Sequence, residues 1–366
     1  MKITLAATGC TMRLICPMQE RSLPKTEKLS REFFMTRKRC GFSRGGKLIW
    51  EALNMQAFWI IFGIIVFFAL MSLAIAFIGF RMAFYAPRKN VNNEEFKLPK
   101  GKIYEAHRDT MIEWIKEVRA MPHEDVWISS FDGLRLHGKY YECNPGAPIE
   151  LMFHGYRGSA ESDLCGGVKR CFTLGCNALL VDNRTSGESE GNVISFGINE
   201  SRDCHSWLEF MAERFGPDAK IILTGISMGA ATVMMAAGRP LPETVIGLIA
   251  DCGYSSPKAI IKKVMDDMKL PPNLVYPFVK LAARIFGHFD LEDDAPIEAM
   301  TRCKIPVIFF HGEADSFVPC EMSRENYEAC TAPKRLVTIP GAGHGLAYMV
   351  EPERYLNELR DFFNII

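Results

Sequence analysis

The apolar run Ile221-Ile222-Leu223 leads through Thr224 into Gly225-Ile226-Ser227-Met228-Gly229. A buried strand that ends in a glycine-flanked turn of this kind reads as a strand, a sharp elbow and a helix. The glycines are needed because side chains there would collide with the neighbouring strand and helix. The turn lifts the Ser227 hydroxyl clear of the sheet edge and makes it the candidate nucleophile. So short a pattern also fits an ordinary helix-opening serine, and the rest of the chain has to decide between them.

A serine hydroxyl is barely ionised at neutral pH and needs a base with a pKa near that pH, which points to histidine. A strand expected over 335–339 ends in Pro340-Gly341-Ala342-Gly343-His344-Gly345, so His344 is the candidate base. A carboxylate must then hold the imidazole in one tautomer and stabilise the imidazolium. The buried-strand pattern at 304–310 is followed by His311-Gly312-Glu313-Ala314-Asp315. The His-Gly-x-x-Asp spacing selects Asp315, with Glu313 and Asp251 as alternatives. The chain order Ser227, Asp315, His344 is that of the α/β-hydrolase fold and differs from the other two common serine-triad orders. After an expected strand at 150–153 comes His154-Gly155-Tyr156-Arg157-Gly158-Ser159, where a loop donor belongs. The backbone N–H groups of Tyr156 and Met228 are therefore assigned to an oxyanion hole.

The remainder of the body fits this frame. Residues 126–141 alternate around Asp132-Gly133, a hairpin signal. Strands are expected at 150–153, 178–181, 220–224, 245–250, 306–310 and 335–339, alternating with helices. That pattern gives an α/β class with a mostly parallel central sheet and helices on both faces. The elbow, acid loop and histidine loop all follow carboxyl ends of strands, where sites of open α/β sheets gather.

Five blocks, HGYRGSAESD, VDNRTSGESEG, LTGISMGAAT, DCGYSS and HGEADSFVP, make the chain resemble the serine α/β-hydrolase superfamily of esterases, lipases and serine-aminopeptidase-like enzymes. It is particularly similar to a membrane-anchored bacterial branch, over about 126–363. The resemblance implies the fold and acyl-transfer chemistry, and leaves the substrate open. Asn183 and Thr185-Ser186 stand where relatives commonly carry Gln and Ala-His. Fold-sharing epoxide hydrolases and haloalkane dehalogenases place Asp at the elbow, so Ser227 argues against both.

Residues 57–80 contain no charged side chain, and their number exceeds the roughly 20 residues that cross a hydrocarbon core. One transmembrane helix is expected there, preceded by a basic segment at 1–56. It is followed by a linker at 81–100 and a hydrolase domain at 101–366. The head carries eleven Lys or Arg against four acidic residues, which places the N-terminus in the cytoplasm and the catalytic domain outside. Met35 and Met55 are alternative starts; starting at Met35 keeps the basic cluster, starting at Met55 removes it. Nine of the twelve cysteines lie in the body, an odd number at buried-looking positions that points instead to a reducing setting.

Residues 102–120 read as one amphipathic helix. The helical stretch at 252–302 is either a cap over the site or ordinary packing on the sheet. His154, His205 and His311 read as structural, and Asp182 with Arg184 as a loop-fixing ion pair. No CxxC spacing supports a metal, and no cofactor is expected. The expected partners are a small-molecule or lipid-like acyl substrate and, through 57–80, a lipid bilayer. The short basic head beside the span is explained by membrane charge, and no nucleic-acid pattern appears. The leading reading is a membrane-anchored serine hydrolase cleaving an ester, thioester or amide. The competing one is a catalytically silent protein of the same fold that binds or scaffolds partners.

Overall fold

The computed structural model describes residues 44–87, 96, 98, 99 and 101–364. Most of the basic head and the middle of the expected linker lie outside these residues. The chain divides into two compact units, Met1–Ile64 and Ile65–Ile366. Helix α1 (Arg44–Ala83) begins in the first and ends in the second. Its stretch Trp50–Ala83, 34 residues, is long and apolar enough to cross a membrane. From Trp50 to Ile64 every residue is exposed.

Beyond α1 the chain is tied down at once. The Ala86 N–H donates to Asn192 O at 2.9 Å and the Ile194 N–H to Phe84 O at 2.8 Å. Two helices follow, α2 (Lys102–Glu105) and α3 (Arg108–Ala120), where a single helix was expected. His107 leaves helical torsions (φ −111°, ψ 2°) and breaks the run. Helix α2 is instead held to the body, where the Tyr104 hydroxyl donates to His344 O at 2.9 Å.

The body then runs β1 (Glu124–Ser129), β2 (Arg135–Tyr141), β3 (Ile149–Phe153), α4 (Ala160–Thr173), β4 (Asn177–Val181), α5 (Ile198–Phe215), β5 (Ile221–Ile226), α6 (Met228–Ala237), β6 (Val245–Asp251), α7 (Pro257–Asp267), α8 (Pro272–Phe286), α9 (Pro296–Met300), β7 (Val307–Gly312), α10 (Cys320–Ala329), β8 (Lys334–Ile339), α11 (Ala347–Val350) and α12 (Pro352–Phe363). The eight strands form one sheet in the order β1-β2-β4-β3-β5-β6-β7-β8. The pairs β1–β2 and β2–β4 are antiparallel and the others parallel.

Strands β3, β4 and β7 are buried along their whole length, which is why they read as unbroken apolar runs. Successive residues serve opposite layers: Leu151 and Phe153 pack with Trp207, Met211 and Val233 of α5 and α6. Met152 packs with Ile115, Val168 and Leu359 of α3, α4 and α12. Each large side chain buried here contributes about 2–3 kcal/mol. Helix α6 is buried at all ten positions. Its far side meets a third cluster that joins Ala76, Phe80 and Phe84 to Ile260 of α7 and Val279 of α8.

Candidate active site

Ser227 sits between β5 and α6 with φ 57° and ψ −116°, a strained conformation worth about 1–3 kcal/mol that the surroundings impose. The flanking glycines are compulsory. A Cβ on Gly225 would lie 2.2 Å from the Gly229 carbonyl carbon, and one on Gly229 would lie 2.0 Å from Phe153 O. The Ser227 N–H is anchored on Asp251 O at 2.8 Å.

His344 enters from the loop after β8. Its Nε2 is 2.9 Å from Ser227 Oγ and its Nδ1 is 2.6 Å from Asp315 Oδ2. With the proton on Nδ1, the ring donates to the carboxylate and accepts from the serine hydroxyl. Asp315 is fixed on its other oxygen, Oδ1, by the N–H groups of Phe317 and Val318, both at 2.9 Å. Burial opposes its charge, yet hydrogen bonds from His311 and His344 outweigh that and hold the carboxyl well below the usual range. The alternatives are engaged elsewhere. Glu313 accepts from the Thr338 hydroxyl at 2.7 Å, and Asp251 from the Tyr355 hydroxyl at 3.0 Å.

No family model matches the chain. Among curated relatives, the uncharacterized protein YqkD of Bacillus subtilis (strain 168) is 24% identical over 192 residues, 52% of this chain and 63% of that protein. The alpha/beta hydrolase domain-containing protein WAV2 of Arabidopsis thaliana is 26% identical over 208 residues, 54% of this chain and 63% of that one. Each match thus spans less than two thirds of the relative. An esterase of Pyrococcus furiosus superposes with a TM-score of 0.58 at 20% identity, covering 77% of this chain and 97% of that chain. This chain has the α/β-hydrolase fold.

Within this α/β-hydrolase fold the Tyr156 loop lies against the elbow: a Cβ on Gly155 would meet Ser227 Cβ at 3.5 Å. Among the described residues, neither the Tyr156 N–H nor the Met228 N–H donates to a protein acceptor. Met228 opens α6, where the first amides have no intrahelical partner, so both donors are available for an anion. Asp163 of α4 braces the loop by accepting the Gly155 N–H at 3.0 Å.

A cavity of about 780 Å³ opens on Ser227 and His344, walled by Leu98, Tyr104, Met111, Ile194 and Phe317 among others. No residue from 252–302 lines it; the chain after α1, including Ala86, Pro87 and Ile103, forms that wall instead.

Several polar groups have partners that sequence spacing did not disclose. Asp182 and Arg184 do not pair with each other. Asp182 accepts from His137 Nδ1 at 2.8 Å, and Arg184 forks onto Asp203 of α5 with two bonds of 2.7 Å. His137 is also 2.9 Å from Asp125 through Nε2; burial works against its charge, but the two carboxylates raise its pKa. His311 contacts the acid itself, its Nε2 3.2 Å from Asp315 Oδ2. A histidine at the mouth of a His-Gly-x-x-Asp turn, four residues from its acid, is the signal that could have found it. His154 and Asn183 brace each other, with the Asn183 N–H on His154 Nε2 at 3.1 Å. His205 Nε2 lies 3.2 Å from Ala236 O.

One described group of metal-type donors has atoms within 4.8 Å of one another: Cys252, Asp315 and His344. Burial pushes the Cys252 thiol well up, keeping it neutral, and a cation would have to displace the His344–Asp315 hydrogen bond. The donor set therefore fits a metal poorly.

Proposed function

We propose that this chain is a membrane-anchored serine hydrolase that cleaves an acyl ester through an acyl-enzyme on Ser227. The observation that carries the reading is the unbroken hydrogen-bond chain from Asp315 through His344 to Ser227, at 2.6 and 2.9 Å. Ser227 Oγ attacks the carbonyl carbon while its proton passes to His344 Nε2. Asp315, held ionised, stabilises the imidazolium. The tetrahedral oxygen is received by the N–H groups of Tyr156, in the loop after β3, and of Met228, at the elbow. His344 then returns the proton to the departing alcohol, and a water activated by the same ring releases the acid.

The substrate class is a small or lipid-like ester. Supporting this are the cavity with its apolar wall residues and the neighbouring α1, which in this reading spans the bilayer with the N-terminus in the cytoplasm. The test is hydrolysis of para-nitrophenyl esters of graded acyl length by the full chain and by Ser227→Ala. The reading expects turnover with a preferred acyl length, falling at least about 10⁴-fold in the variant. Equal rates in the two proteins would overturn it.

A further inference from the structure

Helix α8 carries two apolar faces. Tyr276, Val279, Ala282 and Ala283 are buried against the body. On the other side Leu274, Pro277, Leu281 and Ile285 are exposed, Leu274 by 67% and Ile285 by 43%. Their spacing of three, four and four residues confines them to an arc of about 80° at 100° per residue. Leu270 and Met268, on either side of the exposed Lys269 in the turn before α8, are exposed as well. A helix apolar on both sides belongs in a core or against lipid, and a contiguous exposed patch of this kind marks an interaction surface.

What covers the stripe is indicated by its neighbour. Phe286 packs edge-on against Phe77 of α1 at 5.3 Å and also meets Phe80 at 5.7 Å. Gly79 faces Val279 directly, a Cβ there reaching only ordinary contact at 3.6 Å. Phe77 and Ile78 are themselves 49% and 58% exposed, so the apolar exterior of α1 runs on into α8. The candidate span of 34 residues exceeds the about 20 that cross the hydrocarbon, leaving turns to spare at the bilayer face. The flanking cations of α8 point elsewhere: Lys280 pairs with Glu292 and Arg284 with Asp290.

We infer that α8 is a second membrane contact, lying in the interfacial layer with Leu274, Leu281 and Ile285 dipped into the acyl region beside the end of α1. This rests on α1 spanning the bilayer, as proposed above. Because Lys280 and Arg284 of α8 are neutralised within the protein and Lys269 is the one cation in the turn before the stripe, the contact is carried by apolar burial and does not depend on anionic lipid.

The test uses the full chain in phosphatidylcholine vesicles, with a dansyl-bearing amino acid placed singly at Leu281, at Ile65 in α1 and at the exposed Glu213 of α5. Acyl chains brominated near the carbonyl end should quench position 281 to about half the extent seen at position 65 or more, and leave position 213 unquenched. Added anionic lipid should not change this. Quenching at 65 without quenching at 281 would overturn the α8 contact while leaving the span intact. Quenching at neither would overturn both. Protection of 281 that appears only with self-association in detergent would assign the stripe to a second copy and overturn the lipid assignment. As a check on packing, Leu274→Ser with Leu281→Ser and Ile285→Ser, all on the exposed stripe, should fold normally. That variant should also lose the extra amide-exchange protection that vesicles give to α8; retention of the protection would count against the inference.

Discussion

The Tyr156 hydroxyl donates a 2.8 Å hydrogen bond to the main-chain oxygen of Ala83, the last residue of α1. Arg157 adds bonds from Nη2 to Met82 O at 2.9 Å and to Tyr85 O at 3.0 Å. Terminal helix carbonyls lack intrahelical partners, and here the loop carrying the proposed oxyanion donor supplies them. The end of α1 therefore helps to position that donor. Losing one oxyanion donor costs about 10²–10³ in kcat, and loosening one should cost less. Arg157→Ala is expected to lower kcat about tenfold with KM changed less than about twofold, since the donor acts mainly in the transition state. Steady-state kinetics on a para-nitrophenyl ester checks this; a rise in KM alone would place Arg157 in substrate binding instead.

His137 is buried between Asp182 and Asp125, and its pKa is raised in the folded chain. A raised folded pKa means that the protonated ring stabilises the fold below the unfolded value of about 6.5, and that this stability is lost as pH rises through the folded value. Urea unfolding of the wild type and His137→Gln should therefore show a larger stability gap near about pH 5.5 than near about pH 9. A gap that is constant or widens with pH would contradict the ionised pair.

Gly229→Ala forces a Cβ to within 2.0 Å of Phe153 O, a backbone atom with no room to retreat. The expected loss is about 2–3 kcal/mol in chemical denaturation, together with nearly all turnover, because the elbow must shift. Gly341→Ala is the useful contrast: nothing lies within 4 Å of its Cβ, although its φ of 73° adds backbone strain. Wild-type stability and activity in Gly229→Ala would mean that the elbow is looser than this packing requires.

Much of the fold was legible because its signals are local. Apolar runs alternating with helical segments placed the strands of the parallel region to within a few residues, and the elbow glycines announced a turn that sterics make compulsory. What escaped depended on partners distant in sequence. Asp182 finds His137 in β2, and Arg184 finds Asp203 in α5, so their adjacency suggested a pairing that the fold does not use. The break at His107 escaped because the amphipathic period continues through it while the Tyr104 bond to His344 O draws α2 to the body. The part played by the end of α1 was equally invisible, since Tyr156 and Arg157 meet it across more than seventy residues.

The central claim is that Ser227 is a nucleophile made reactive by His344. The most direct measurement is covalent labelling of the full chain by a fluorophosphonate, located by peptide mass spectrometry. The account predicts one phosphonyl group, on the peptide containing Ser227, with labelling abolished in Ser227→Ala and slowed at least about 10³-fold in His344→Ala. A folded wild-type protein that stays unlabelled, or labels equally fast without His344, would contradict it.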